Sequence, residues 1–122
     1  MSVNKVLVFD NYHFFLRFLK YEFKELKFTV GERESILYDS EINKGFSLIV
    51  YVFYSEDDLI DLLKLYSCGV KLLVCNQSPR FVNKFSNIKN MGALDCTETK
   101  NVYRSDLRTY FKEIFDVGGI SQ

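Results

Sequence analysis

Surplus charge of either sign is missing from this chain. Sixteen Lys and Arg side chains stand against sixteen Asp and Glu, for a formal net charge of zero. Gripping phosphates takes a basic excess or a basic patch, so the composition speaks against direct nucleic-acid contact by this domain. Long apolar runs are missing too, and no stretch approaches the roughly 20 residues of a membrane span. Metal-ligating residues are few and scattered: one histidine, His13, and three cysteines, Cys68, Cys75 and Cys96, without C-x-x-C spacing. An odd set of cysteines suits a reducing compartment better than a disulfide framework. Cys75 and Cys96 fall in predicted strands and read as small core residues. Neither G-x-x-x-x-G-K-[ST] nor G-x-G-x-x-G occurs. There is no Ser/His/Asp order and no pair of carboxylates at strand ends, so an enzyme is not expected. Met1-Ser2-Val3-Asn4 shows no signal-peptide pattern, and a cytoplasmic location is expected.

What is present is organised around Leu48-Ile49-Val50-Tyr51-Val52-Phe53-Tyr54. Seven apolar or aromatic residues between Gly45 and Ser55-Glu56-Asp57-Asp58 read as the central strand of a parallel sheet, covered on both faces. Lys5 to Phe9 is a first strand, Lys27 to Val30 a second, Val70 to Cys75 a fourth, and Met91 to Thr97 leads into a fifth.

Five helices are predicted between and after these strands. The first runs from about Tyr12 to Leu26, buried through Phe15, Phe18, Leu19 and Leu26 and broadened by Phe14 and Tyr21. A short second helix is capped by Ser35 and holds Ile36, Leu37 and Ile42. The third is capped by Ser55, with Leu59, Leu62, Leu63 and Tyr66 inward. The fourth opens at Ser78-Pro79, with Phe81, Val82 and Phe85 on its apolar side. After a Glu98-Thr99-Lys100-Asn101 loop, the fifth carries Tyr103, Leu107, Tyr110, Phe111 and Ile114. Strict alternation implies right-handed crossovers and a flavodoxin-like (βα)5 three-layer sandwich with strand order 2-1-3-4-5. The domain is expected over 1–117, with Gly118-Gly119 inside a tail or linker start at 118–122.

Four stretches carry a family resemblance: Lys5-Val6-Leu7-Val8-Phe9-Asp10-Asn11, Phe46-Ser47-Leu48-Ile49-Val50, Leu72-Leu73-Val74-Cys75-Asn76 and Gly92-Ala93-Leu94-Asp95. In order and spacing the chain resembles the receiver domain of bacterial two-component response regulators, over about Lys5 to Phe115. Receivers take a phosphoryl group on an Asp at the end of strand three, beside Mg²⁺ held by acids of strand one. A Thr or Ser after strand four and a Lys after strand five contact the phosphate.

The resemblance places those roles on a degenerate pocket. The acidic pair falls on Asp10 and Asn11, the acceptor on Val52, the hydroxyl on Asn76, and the lysine on Thr99 with Lys100 one residue late. Sliding the acceptor position reaches only Tyr51, Phe53 or Tyr54. Asn11 lacks the charge Mg²⁺ prefers, so no metal is expected and Asp10 is at most a weak site. Asp57 and Asp58 read as helix-start acids, and Asp10 as a polar residue bonded to loop amides or to Lys100.

The resemblance therefore implies a non-phosphorylatable, receiver-like signalling module without a cofactor. It would act through protein contacts or dimerisation, and could be the N-terminal part of a transcriptional response regulator. In active relatives the face made by helix four, strand five and helix five is the contact face, which places Phe81, Phe85, Tyr103 and Tyr110 on or near it. The alternatives are a flavin or nucleotide binder of the same topology and a receiver phosphorylated at a non-standard residue. The bulky Asn11-Tyr12-His13-Phe14 loop speaks against a flavin phosphate site.

Overall fold

The computed structural model describes residues 4–38 and 45–115. Five parallel strands form one sheet in the order β2-β1-β3-β4-β5. They are β1 (Lys5–Phe9), β2 (Lys27–Val30), β3 (Leu48–Phe53), β4 (Leu72–Asn76) and β5 (Met91–Asp95). The helices are α1 (Phe14–Glu22), α2 (Arg33–Tyr38), α3 (Leu59–Ser67) and α4 (Lys100–Phe115). No described helix is long and apolar enough to cross a membrane.

All six residues of β3 are buried, and they alternate between two cores. Leu48, Val50 and Val52 join Val6 and Val8 under Phe15, Leu16 and Leu19 of α1 and Leu107 and Phe111 of α4. Ile49, Tyr51 and Phe53 join Leu7 and Phe9 under Ile36 of α2, Leu62 and Leu65 of α3, and Phe85. Helices thus cover both faces, α1 with α4 and α2 with α3. Register is fixed by Val8 opposite Val50 and Phe9 opposite Tyr51. A slip of one residue would exchange the two cores' side chains.

Several helical expectations need correction. No fourth crossover helix forms. Pro79–Phe81 is a single 3-10 turn, and Asn83, Asn87 and Asn90 have φ of 65°, 63° and 65°. Asparagine tolerates this left-handed conformation singly, but a right-handed helix cannot pass through it. The Phe81-Val82-Phe85 pattern had signalled helix, while its rings are instead pinned by the core: Phe53 meets Phe81 at 4.8 Å and Phe85 at 4.9 Å. The described residues therefore hold four α-helices, not five.

Helix α1 is shorter than expected, and its inner face is Phe15, Leu16 and Leu19, followed by Phe23. Phe14 and Tyr21 point to solvent instead of broadening that stripe, and on α3 Leu63 faces out while Leu65 is buried. Ser35 lies within α2 and does not cap it, and Lys100 opens α4 instead of lying in a loop. Strand β5 ends at Asp95, so Cys96 follows the strand, though it is buried like Cys75. Ile42 and the tail at 118–122 lie outside the described residues.

Two glycines permit close approach. A Cβ on Gly31 would sit 2.5 Å from Cε1 of Phe9, a ring locked in the core. A Cβ on Gly92 would sit 2.7 Å from the Tyr110 ring, which is only partly buried and can swing outward. Gly31→Ala is expected to cost about 1–3 kcal/mol by overpacking, and Gly92→Ala clearly less. Urea denaturation of the two variants measures the difference.

Candidate functional site

Extending the β1–β3 register by one residue brings Asp10 level with Val52, at the carboxyl ends of the two central strands. Ligands of open α/β sheets bind at such a place. Asp10 is only 5% exposed. Its Oδ2 accepts the N–H of Phe15 at 2.9 Å and of Leu16 at 3.0 Å. Its Oδ1 accepts the N–H of Tyr12 at 3.2 Å and the hydroxyl of Tyr54 at 2.5 Å.

Asp10 is therefore the cap of α1. The residue at the cap position, His13, adopts φ 64° and makes no side-chain cap bond. The first-turn amides are served from the strand end instead, by a carboxylate that also complements the helix dipole.

The neighbouring acid is used in the same way. Asn11 donates from Nδ2 to Oδ1 of Asp58 at 3.0 Å. Oδ2 of Asp58 accepts the N–H of Tyr54 at 2.8 Å and of Ser55 at 3.2 Å. The Tyr51 hydroxyl donates to the Asp58 carbonyl at 3.3 Å. Asp10, Tyr54, Asp58 and Asn11 thus form a closed polar circuit. Asp10 and Asn11 line a recess of about 220 Å³ with Arg33 and Tyr51, and Tyr54 lines another of about 320 Å³ with Phe14 and Lys100.

Val52 is buried in the core on the α1 side. Tyr54 stands two residues on, on the same side, and packs against that core. The Tyr12 ring meets Tyr54 edge-on at 4.6 Å. The phenol of Tyr54 thus packs against the core that holds Val52 and points at Asp10. Strand alternation could have found it, since Val50, Val52 and Tyr54 share a face. The bond from Asn11 to Asp58 joins two loops and has no sequence signature.

Burial, and then the hydrogen bond to Asp10, push the Tyr54 phenol well above the ordinary range. Burial and the nearby Asp58 charge do the same to Tyr51. Burial lifts Tyr110 to about 12. Unfolded tyrosines ionise near pH 10. Between that value and the folded ones, the native state holds protons that the unfolded state has released. Stability is thus full below about pH 10 and falls as the pH rises further. Chemical denaturation at pH 9, 10, 11 and 12 is expected to show this decline, with Tyr54→Phe flattening it.

The other expected pocket residues are not gathered here. Asn76 turns onto its own loop, donating to the Ser78 carbonyl and accepting the Ser78 N–H, each at 3.0 Å. The Thr99 carbonyl accepts the Val102 and Tyr103 N–H groups at the start of α4. The Lys100 ammonium lies 5.6 Å from the Phe18 ring centroid and forms no ion pair with Asp10. Among the described residues, no group of three His, Cys, Asp or Glu could hold a metal ion. Cys75 and Cys96 are unbridged and buried, and burial, reinforced by the neighbouring Cys96 thiol, pushes the Cys75 thiol up. A reactive thiolate is disfavoured there.

The four expected face residues do not form one surface. Phe81 and Phe85 belong to the α3-side core, while Tyr103 packs on Phe15 and Phe18 at 5.8 and 5.3 Å, on the α1 side. Tyr110 also lies on the α1 side, over Gly92. None of the four stands fully exposed. Comparison of the chain with protein-family models, curated proteins and solved structures finds no significant match.

Proposed function

We propose that this is a receiver-like signalling module, a flavodoxin-like three-layer sandwich that accepts no phosphoryl group and acts through protein contacts. The observation that carries this reading is the closed circuit of Asp10, Tyr54, Asp58 and Asn11 where the resemblance expects an acceptor and its metal. Phosphoryl transfer depends on positioned charge and metal. Here both acids are committed to backbone amides, a tyrosine and an asparagine. The Tyr54 hydroxyl is a poor nucleophile, because its partner Asp10 already serves three amides and its own ionisation is suppressed. The contact surface proposed is the open edge β5 with α4, bordered on one side by the Phe81–Phe85 turn. There Ala93 is exposed and Tyr110, over Gly92, is partly accessible.

Beryllofluoride with Mg²⁺ tests the reading. Amide resonances of Asp10, Tyr54 and Asp58 are expected to stay in place, with no shift in melting temperature. Stoichiometric uptake of the mimic would overturn it.

A further inference from the structure

The zero net charge conceals a strong segregation. Helices α1 and α4 lie on one side of the sheet, joined by the Glu22–Arg104 ion pair at 3.2 Å. They carry six basic side chains, Arg17, Lys20, Lys100, Arg104, Arg108 and Lys112, against three acids, Glu22, Asp106 and Glu113. Helices α2 and α3, with the Glu56–Asp58 turn, lie on the other side, joined by the Arg33–Asp61 ion pair. They carry five acids, Glu34, Glu56, Asp57, Asp58 and Asp61, against Arg33 and Lys64. Counted over these elements alone, the first set is net +3 and the second net −3; Asp58 and Asp61 are buried, so the acids exposed on the second set are Glu34, Glu56 and Asp57.

Each side also exposes apolar side chains that its own core does not use. On α1, Phe14 is 71% exposed and Tyr21 72%, seven residues and two turns apart on one face. The Lys24 ammonium reaches to 5.4 Å from the Tyr21 ring centroid. On α3, Ile60 is 67% exposed and Leu63 54%, on adjacent turns. The basic side also has a receptacle, the recess of about 320 Å³ bordered by Phe14, Phe18, Lys100 and Tyr103.

We propose that these two sides bind one another between copies. The α1/α4 side of one molecule receives the α3 side of a second. Ile60 and Leu63 enter the recess beside Phe14, and the exposed Glu56 and Asp57 meet the basic rim. Opposed potentials of this kind steer encounter and fix the partner, while the apolar contact supplies the burial. A nucleic-acid strand would satisfy the basic side alone and leave Ile60 and Leu63 exposed, so a second copy fits more of the surface. The contact is head-to-tail, because the two patches differ. Each complex retains one free side of each kind and can extend. This pairing draws on surface chemistry alone and is independent of the phosphate-free signalling reading.

The test uses two double variants at exposed positions, F14Q/Y21Q and I60Q/L63Q, in analytical ultracentrifugation over a wide concentration range. The wild-type chain is expected to exceed its monomer mass of 14.4 kDa progressively with concentration, and less so at high salt. Each variant alone is expected to stay monomeric. Their equimolar mixture is expected to give a species of twice the monomer mass and nothing larger, since each supplies the side the other lacks.

A wild-type chain that stays monomeric overturns the proposal. So does a dimer that survives both pairs of substitutions, which would point to the β5 edge instead. Salt-sensitive binding of a single-stranded oligonucleotide, lost in F14Q/Y21Q, with no self-association, assigns the basic side to nucleic acid and also overturns it.

Discussion

Asp10→Ala is expected to remove about 3–5 kcal/mol of folding stability, a large part of what a domain this size possesses. The carboxylate accepts four hydrogen bonds, from Tyr12, Phe15, Leu16 and the Tyr54 hydroxyl. Truncation orphans the two buried α1 amides and the phenol together, and each such loss costs about 1–3 kcal/mol before relaxation. Asp10→Asn is the informative comparison. Its amide retains one carbonyl acceptor and loses the charge that favours the helix N-terminus, so it should fall between Ala and wild type. Urea denaturation followed by circular dichroism measures all three. If Asp10→Ala unfolds no more easily than Asp10→Asn, the capping role assigned to this carboxylate fails.

Val52→Asp restores the carboxylate that the resemblance expects, and it is expected to restore no phosphorylation. The position is buried in the α1-side core, level with Asp10 and two residues before Tyr54, which packs against the same core. A new carboxylate there meets desolvation and a like charge at once. The expected loss at pH 7 is about 4 kcal/mol or more, at the upper end of single substitutions. The penalty has a definite pH sign. The new carboxyl has a raised folded pKa, so its destabilisation is small at acid pH and grows as the pH rises past the unfolded carboxyl value. A simple packing defect would show no such slope. Acquisition of an acid-stable, base-labile phosphoryl group with acetyl phosphate and Mg²⁺ would contradict the expectation and show that the tyrosine leaves its place.

How much of this was legible in the sequence follows from what each signal measures. The strand order was legible because β3 and β4 are buried on both faces, and alternating strands and helices leave few topologies. The inner face of α4 was legible because Leu107 and Phe111 recur at helical spacing and have no competing role. The missing crossover helix was not, because Phe81 and Phe85 satisfy a helical pattern while serving as separate plugs on Phe53. The three left-handed asparagines were the contrary signal. Periodicity also counted Phe14, Tyr21 and Leu63 as core, since it registers hydrophobicity without knowing which face is already occupied.

At the site, residue identities were enough to show that no acceptor carboxylate stands at the end of β3. They did not reveal that Tyr54 would bridge to Asp10, or Asp58 to Asn11, across gaps of 44 and 47 residues. Such long-range bonds follow from the register of two strands and leave no local trace. The charge segregation was hidden for a related reason. A total of zero says nothing of distribution until the helices are assigned to sides.

The stretch between β4 and β5 has a consequence of its own. It crosses from one strand to the next without a crossover helix, held by rings set into the core while Asn83, Lys84, Ser86 and Asn87 lie at the surface. A link fastened by two plugs has no helical pitch to preserve. Ile88 packs on the α3-side core and the Lys89 carbonyl accepts the Tyr66 hydroxyl, so the exposed Ser86–Asn87 step between these anchors and Phe85 is the natural place for added length or for grafting a recognition loop onto the domain.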